Sequence, residues 1–200
     1  MFKNKKVIIF DMDGTLIDSV GMWNKTDETL IKKFTNKSID EFFTENDIQA
    51  KDIGQMRDSI LAKCKSGDIY LEYCNWLKEK FKTDVSAEEI LKLRWNIANE
   101  YIINEVDYKE NAEILLERLK EKRYILALAT TTTKDRLDIY RKKLKKADID
   151  KIFTVILSKE DVEHKKPSPE IHNKIMKKLN VTPEECLVIE DALIGVQAAK

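Results

Sequence analysis

Asp11 and Asp13 stand two residues apart at the end of four apolar residues, Val7 to Phe10, and Gly14 and Thr15 follow at once. A short apolar run of this kind reads as a buried strand. In an extended chain, residues two apart face the same side, so the two carboxylates are neighbours. Desolvating a carboxylate is costly unless a cation or hydrogen-bond donors compensate it, so the pattern signals a binding site. The residue types suit phosphoryl transfer. One carboxylate can attack phosphorus and form an acyl phosphate. The other can give a proton to a leaving alkoxide and later take one from water. The backbone N–H groups of Gly14 and Thr15 can meet phosphate oxygens.

Polar residues recur at the ends of later apolar runs. Residues 124–130 read as a buried strand ending at Thr130, with Thr131 beside it as a second hydroxyl for phosphate. Lys166 lies in the loop after a strand at 153–157, and Glu190 and Asp191 close a short strand at 187–189. Taken singly, each admits a plain structural reading. Thr130 to Thr133 could be a capped loop, Lys166 an exposed lysine before proline, and Glu190–Asp191 an acidic pair complementing a helix N-terminus. Their order on successive strand ends is what argues for a site, because open parallel sheets bind ligands at the carboxyl ends of their strands. Four carboxylates converging there need a hard divalent cation, and Mg²⁺ prefers oxygen ligands. Asp11, Asp13, Glu190 and Asp191 are therefore the candidate metal residues. Lys166 can neutralise the nucleophile and the transferring group.

The elements that must hold these residues follow from periodicity and capping. Residues 20–104 read as about five helices with no strand, a small bundle. Val20, Trp23, Leu30, Ile31 and Phe34 share one helix face. Ser38 with Glu41, and Ser86 with Glu89, form capping boxes. Asp52 can cap a third helix, and Gly67 and Asp68 open a fourth. After Val106 the pattern alternates: helix at 110–123, strand at 124–130, helix at about 134–146, strand at 153–157, a helix capped by Ser168 with Pro169 at its first position, and strand 187–189. Alternation of this length predicts an α/β fold, a Rossmann-like parallel sheet with right-handed crossovers. The first strand joins that sheet. The expected organisation is a discontinuous core, 1–18 with 106–200, and an inserted helical domain at 19–105.

Composition narrows the function classes. The 200 residues carry 36 basic and 36 acidic side chains, a balance that argues against general nucleic-acid or membrane-surface binding. No apolar run is long enough to span a bilayer, and the N-terminus lacks a signal-peptide layout. Cys64, Cys74 and Cys186 are an odd number without metal-ligand spacing; Cys64 and Cys74 read as buried helix residues, and a disulfide framework gives way to a reducing, cytoplasmic setting. His172 is expected on a helix surface, His164 has no identifiable partner, and the charges from Arg141 to Lys146 read as a solvated helix face.

These residues resemble the haloacid dehalogenase-like hydrolase superfamily. Its first motif is matched by Asp11-Met-Asp-Gly-Thr15, its second by Thr130, its third by Lys166 within Lys166-Pro-Ser-Pro-Glu-Ile171, and its fourth by Glu190-Asp-Ala-Leu-Ile-Gly195. The resemblance implies an α-helical cap in the insertion, Asp11 as nucleophile and Asp13 as general acid/base. It implies Mg²⁺ held by Asp11, the Asp13 carbonyl and Asp191, with Glu190 direct or one shell out. Within the superfamily the chain is similar to the branch of small-molecule phosphatases that includes β-phosphoglucomutase. Ile48 to Gly54 departs from the Leu-Lys-Gly-like segment of that mutase, and Tyr108-Lys-Glu-Asn stands where relatives often show a Pro-Gly turn. The chain stops at Lys200, inside the helix after the fourth motif, where family members continue to a further strand.

The expectation is a Mg²⁺-dependent phosphatase, monomeric, acting on a phosphorylated small molecule that could be a sugar phosphate, with no nucleic-acid or membrane partner. Met22 and Trp23 are candidate specificity residues, with packing inside a cap helix as the alternative. The rival enzymatic reading is a phosphomutase, and the rival of another class is a non-catalytic phosphate-binding or interaction module.

Overall fold

The computed structural model describes residues 2–63, 68–145 and 147–200. Cys64, Gly67 and Lys146, all read above from sequence, lie outside the described residues. The described chain divides into two compact units, Met1–Val20 with Glu105–Lys200, and Gly21–Asn104.

The first unit is built on four parallel strands, β1 (Val7–Phe10), β2 (Ile125–Ala129), β3 (Val155–Leu157) and β4 (Cys186–Ile189), in the order β3-β2-β1-β4. The central strands β1 and β2 are near-continuous apolar runs because helices cover both faces of a parallel sheet. Val7, Ile8 and Ile9 are fully buried. Alternation sends Val7, Ile9, Ala127 and Ala129 to one face, where they pack with Ile171 and Ile175. Phe10 points the other way and meets Phe153 edge-on. The order has a physical consequence. The chain builds β2 and β3 on one side of β1, then returns to place β4 on the other side. This reversal opens a crevice at the carboxyl ends of β1 and β4, where Asp11 and Glu190 begin.

The second unit holds α1 (Met22–Thr35), α2 (Ile39–Glu45), α3 (Ile53–Leu61), α4 (Ile69–Phe81) and α5 (Ala87–Asn104). Local chemistry sets their starts. Ser38 and Glu41 satisfy each other's backbone N–H groups in a capping box, and Ser86 with Glu89 do the same. Asp52 and Asp68 accept from the first turns of α3 and α4. The core includes Leu30, Ile31, Phe42, Tyr73, Leu77 and Phe81, with Phe34 stacked on Phe81. Inside it Asp27 takes two hydrogen bonds from Arg94, 2.6 and 3.1 Å. The Arg94 guanidinium lies 4.5 Å from the Trp23 ring centre, so Trp23 packs within the unit. Val20 precedes α1 and is 61% exposed; the apolar face begins instead at the buried Met22.

In the first unit α6 (Ala112–Glu121) packs on β2, and α7 (Lys134–Lys143), α8 (Ile149–Ile152), α9 (Glu170–Leu179) and α10 (Leu193–Ala198) follow. The four-residue α8 is too short to leave a periodic signal. Pro169 is the N-cap of α9 rather than its first residue, and the Ser168 hydroxyl accepts from Glu170 N–H at 3.3 Å. Where the outgoing and returning chains cross, Asp18 N–H bonds Asp107 O and Lys109 N–H bonds Leu16 O, at 3.0 and 2.9 Å. This two-stranded clasp occupies the place where a Pro-Gly turn was the family expectation.

Candidate active site

Asp11, Glu190 and Asp191 each offer a carboxylate oxygen, and these oxygens lie within 4.8 Å of one another. Parallel pairing of β1 with β4 brings them together: Phe10 stands opposite Ile189, and Asp11 N–H bonds Ile189 O at 3.0 Å. Residues 179 positions apart in sequence thus share one crevice because the reversal in strand order puts them there. Three carboxylates in such a space repel unless cations answer them.

Lys166 is one answer. Its ammonium donates to Asp11 Oδ1 at 2.7 Å, to the Ala129 carbonyl at 2.9 Å and to Glu190. The side chain crosses the ends of three strands and is buried, contrary to the exposed position common for a lysine before proline. Burial pushes the Asp11 carboxyl up to about 7; Lys166 pulls it down, while the charges of Glu190 and Asp13 push it up again. An all-oxygen donor set with excess negative charge fits a hard divalent cation.

Two glycines make room for the acids. Gly14 sits at φ +82°, a conformation costly for any side chain, and a Cβ there would overlap the Asp191 carboxylate. A Cβ on Gly195 would overlap the Glu190 carboxylate. Gly14 differs from the sequence expectation in one respect: its N–H donates to Ile17 O at 3.0 Å, closing the turn rather than facing a phosphate. The Thr15 hydroxyl donates to Asp191 Oδ1 at 2.9 Å.

Asp13 is enclosed by hydroxyls. Ser19 Oγ and the Tyr140 hydroxyl donate to its Oδ1, at 2.8 and 2.9 Å, and the Thr132 hydroxyl donates to Oδ2. Burial, with the Asp13 charge beside it, lifts the Tyr140 phenol well above its usual value, so it remains a donor. None of these three was singled out from sequence. A signal existed for Tyr140, which shares the buried face of α7 with Leu137, since a buried tyrosine hydroxyl needs a partner.

The threonine run divides. Thr130 is buried and its hydroxyl accepts from Thr132 N–H at 3.0 Å. Thr131 is exposed, and it is Thr132 that reaches Asp13. Thr130 is held at the end of β2 by its own N–H, which bonds Leu157 O at 3.0 Å.

Both histidines depart from expectation. His172 is buried, 4% exposed, and among the described residues both ring nitrogens lack hydrogen-bond partners. Burial, with the Lys166 charge, holds its imidazole down to about 4. His164 is exposed but paired, its Nδ1 lying 3.1 Å from Glu170 Oε2. The charges after Arg141 behave as expected of a surface: Arg141 binds Asp138 and Asp150 at 2.7 and 3.0 Å. Cys74 and Cys186 are buried free thiols. No helix among the described residues is long and apolar enough to cross a membrane.

A parallel α/β sheet with paired aspartates after its first strand and acids after its fourth defines a class, and comparison with known proteins agrees. The model of the haloacid dehalogenase-like hydrolases matches residues 5–200, and the chain belongs to that family. It is 31% identical over 198 residues to the phosphorylated carbohydrates phosphatase of Thermotoga maritima, covering 98% of this chain and 80% of that one. It is 26% identical to pyrophosphatase PpaX of Bacillus mycoides, covering 92% and 74%. Among solved structures, a candidate β-phosphoglucomutase of Thermotoga maritima matches with a TM-score of 0.75 and 26% identity, over 97% of this chain and 80% of that one.

Proposed function

We propose that the chain is a Mg²⁺-dependent phosphatase that hydrolyses a phosphorylated carbohydrate through an aspartyl-phosphate on Asp11. The observation that carries this reading is the meeting of Asp11, Glu190 and Asp191 within 4.8 Å, with Lys166 on Asp11 at 2.7 Å. The likeness to the phosphorylated carbohydrates phosphatase supports the substrate class.

Asp11, the Asp13 carbonyl, Glu190 and Asp191 are the residues that would hold the ion. Bound there, Mg²⁺ would supply positive charge toward the phosphoryl oxygens and favour the ionised form of Asp11. Lys166 adds charge from the other side and orients the attacking carboxylate. The Asp11 oxygen bonds phosphorus as the ester bond breaks, and Asp13 gives the leaving oxygen its proton. Asp13 then takes a proton from the water that releases phosphate. Thr130 and Thr15 line the phosphate's surroundings; Thr131, at the exposed start of the same loop, and Gly14, which supplies space, complete them. The helical unit Gly21–Asn104 serves as a cap that excludes water and selects the leaving group, with Met22 and Trp23 at the start of its first helix. Buried, unpaired Cys74 and Cys186 suit a reducing cytoplasm, where the enzyme acts as a monomer.

The test is phosphate release from a panel of sugar phosphates and pyrophosphate, with Mg²⁺ or with EDTA, by the native chain and Asp11→Asn. Loss of release in EDTA and in Asp11→Asn is expected; equal rates for the two chains would remove Asp11 as nucleophile. Phosphomutase activity is the second reading, favoured by the likeness to the candidate β-phosphoglucomutase. Product analysis with β-glucose 1-phosphate and a bisphosphate activator separates it: glucose 6-phosphate means mutase, inorganic phosphate means hydrolysis.

A further inference from the structure

Tyr140 is fully buried in α7, yet its hydroxyl ends on Asp13 Oδ1 at 2.9 Å. Ser19 Oγ donates to the same oxygen at 2.8 Å. On Oδ2, among the described residues, the Thr132 hydroxyl donates. The two oxygens of one carboxylate are thereby made unequal. Oδ1 is held from two sides, once by a rigid ring whose place is set by the packing of a helix. Oδ2 is held by a small hydroxyl in the loop just before that helix, which a substrate oxygen can displace.

We infer that Tyr140 is a positioning residue for proton transfer: with Ser19 it pins Oδ1 of Asp13, leaving Oδ2 as the oxygen that exchanges the proton. The inference rests on the general acid/base role proposed for Asp13. In the first half-reaction the proton on Oδ2 passes to the bridging oxygen as its bond to phosphorus breaks and the bond from Asp11 to phosphorus forms. In the second, a water oxygen bonds phosphorus, the Asp11 bond breaks, and the water proton goes to Oδ2. Transfer of this kind depends on orientation within hydrogen-bond reach. Removing one anchor lets the carboxylate rotate away without touching the nucleophile or the phosphate site.

The readout is the leaving group. An alkoxide leaves poorly unless protonated, whereas p-nitrophenolate leaves with little help. The experiment measures kcat and KM for native chain, Tyr140→Phe, Asp13→Asn and Asp11→Asn. Its substrates are p-nitrophenyl phosphate and the alkyl phosphate that the native chain turns over fastest. Tyr140→Phe is expected to lower kcat/KM, which reports only the steps that form the aspartyl-phosphate, by about tenfold or more on the alkyl phosphate, part of the roughly 10²–10⁴ that general acid catalysis supplies. Its loss of kcat/KM on p-nitrophenyl phosphate is expected to be severalfold smaller, while kcat, which includes the shared release of phosphate from Asp11, falls on both. Equal losses of kcat/KM on both substrates, or none, overturn the positioning role. Full activity in Asp11→Asn or Asp13→Asn would instead remove the reading beneath it. If Tyr140→Phe does not fold, as judged by circular dichroism, Ser19→Ala takes its place. That variant removes the other anchor on the same oxygen and must show the same split.

Discussion

Lys166 and Gly195 show how single residues set the chemistry of this crevice. Lys166 compensates two buried carboxylates at once, and removing one partner of a buried charge cluster leaves the others uncompensated. Lys166→Met is expected to push the Asp11 carboxyl further up from about 7, because the one nearby charge that lowers it is gone. Phosphate release at pH 7 should fall by at least about 10²-fold, the scale of losing one electrostatic contact in a preorganised site. Gly195 lies inside α10, where alanine would favour the helix by about 1 kcal/mol. Its Cβ would nevertheless displace Glu190. Gly195→Ala should therefore give a folded chain with kcat/KM lowered about tenfold or more, and a variant as active as the native chain would show that Glu190 tolerates displacement.

Among the elements, the helical unit carries its own electrostatic anchor. Asp27 is fully buried in α1 and Arg94, 1% exposed, lies in α5. Burial works against the charge on Arg94, but the hydrogen bond and charge of Asp27 overcome it and hold its ionisation above the usual value. The pair ties two helices that are far apart in sequence. Asp27→Ala would leave a guanidinium buried without its counter-charge, an expected loss of about 3–5 kcal/mol in urea unfolding. Ser86→Ala removes only a cap at the start of α5, and about 1 kcal/mol is expected. The contrast between the two measures how far tertiary pairing outweighs local capping in this unit.

At the scale of the whole molecule, stability should respond to metal and to acid. A cation that binds the folded crevice and not the unfolded chain stabilises by about 2.7 kcal/mol at a hundred times its dissociation constant, so Mg²⁺ should raise Tm and EDTA should reverse the rise. An Asp191→Asn chain should show a smaller rise. His172 contributes on the acid side. Its folded-state value of about 4 lies below the ordinary 6.5, so the unfolded chain binds the extra proton first. Its contribution is therefore complete above about pH 6.5 and is lost as pH falls towards 4, a total of about 3 kcal/mol. Asp11, raised to about 7, takes up a proton in the folded state over the same range and slopes the other way, so the histidine's share is read as the difference in the pH dependence of unfolding free energy between the native chain and His172→Leu from pH 7 to 5.

What the amino-acid order determined by itself was local and periodic. Apolar runs such as Val7–Phe10 marked strands, Ser38–Glu41 and Ser86–Glu89 marked helix starts, and the Asp11-Met-Asp-Gly-Thr15 segment pointed to a candidate phosphoryl-transfer site, because each of these depends on neighbours within about four residues. The order of strands around β1 could only be expected as a rule of parallel sheets. It is tertiary structure that placed Glu190 beside Asp11, buried Lys166 between them, and turned Tyr140, Ser19 and Thr132 onto Asp13. Most of those contacts join residues more than a hundred positions apart; Ser19 is six positions from Asp13 but reaches it only through the fold of the turn after β1. His172 makes the same point: an imidazole among charged neighbours reads as surface, and only packing of α9 on β2 and β3 takes it out of water.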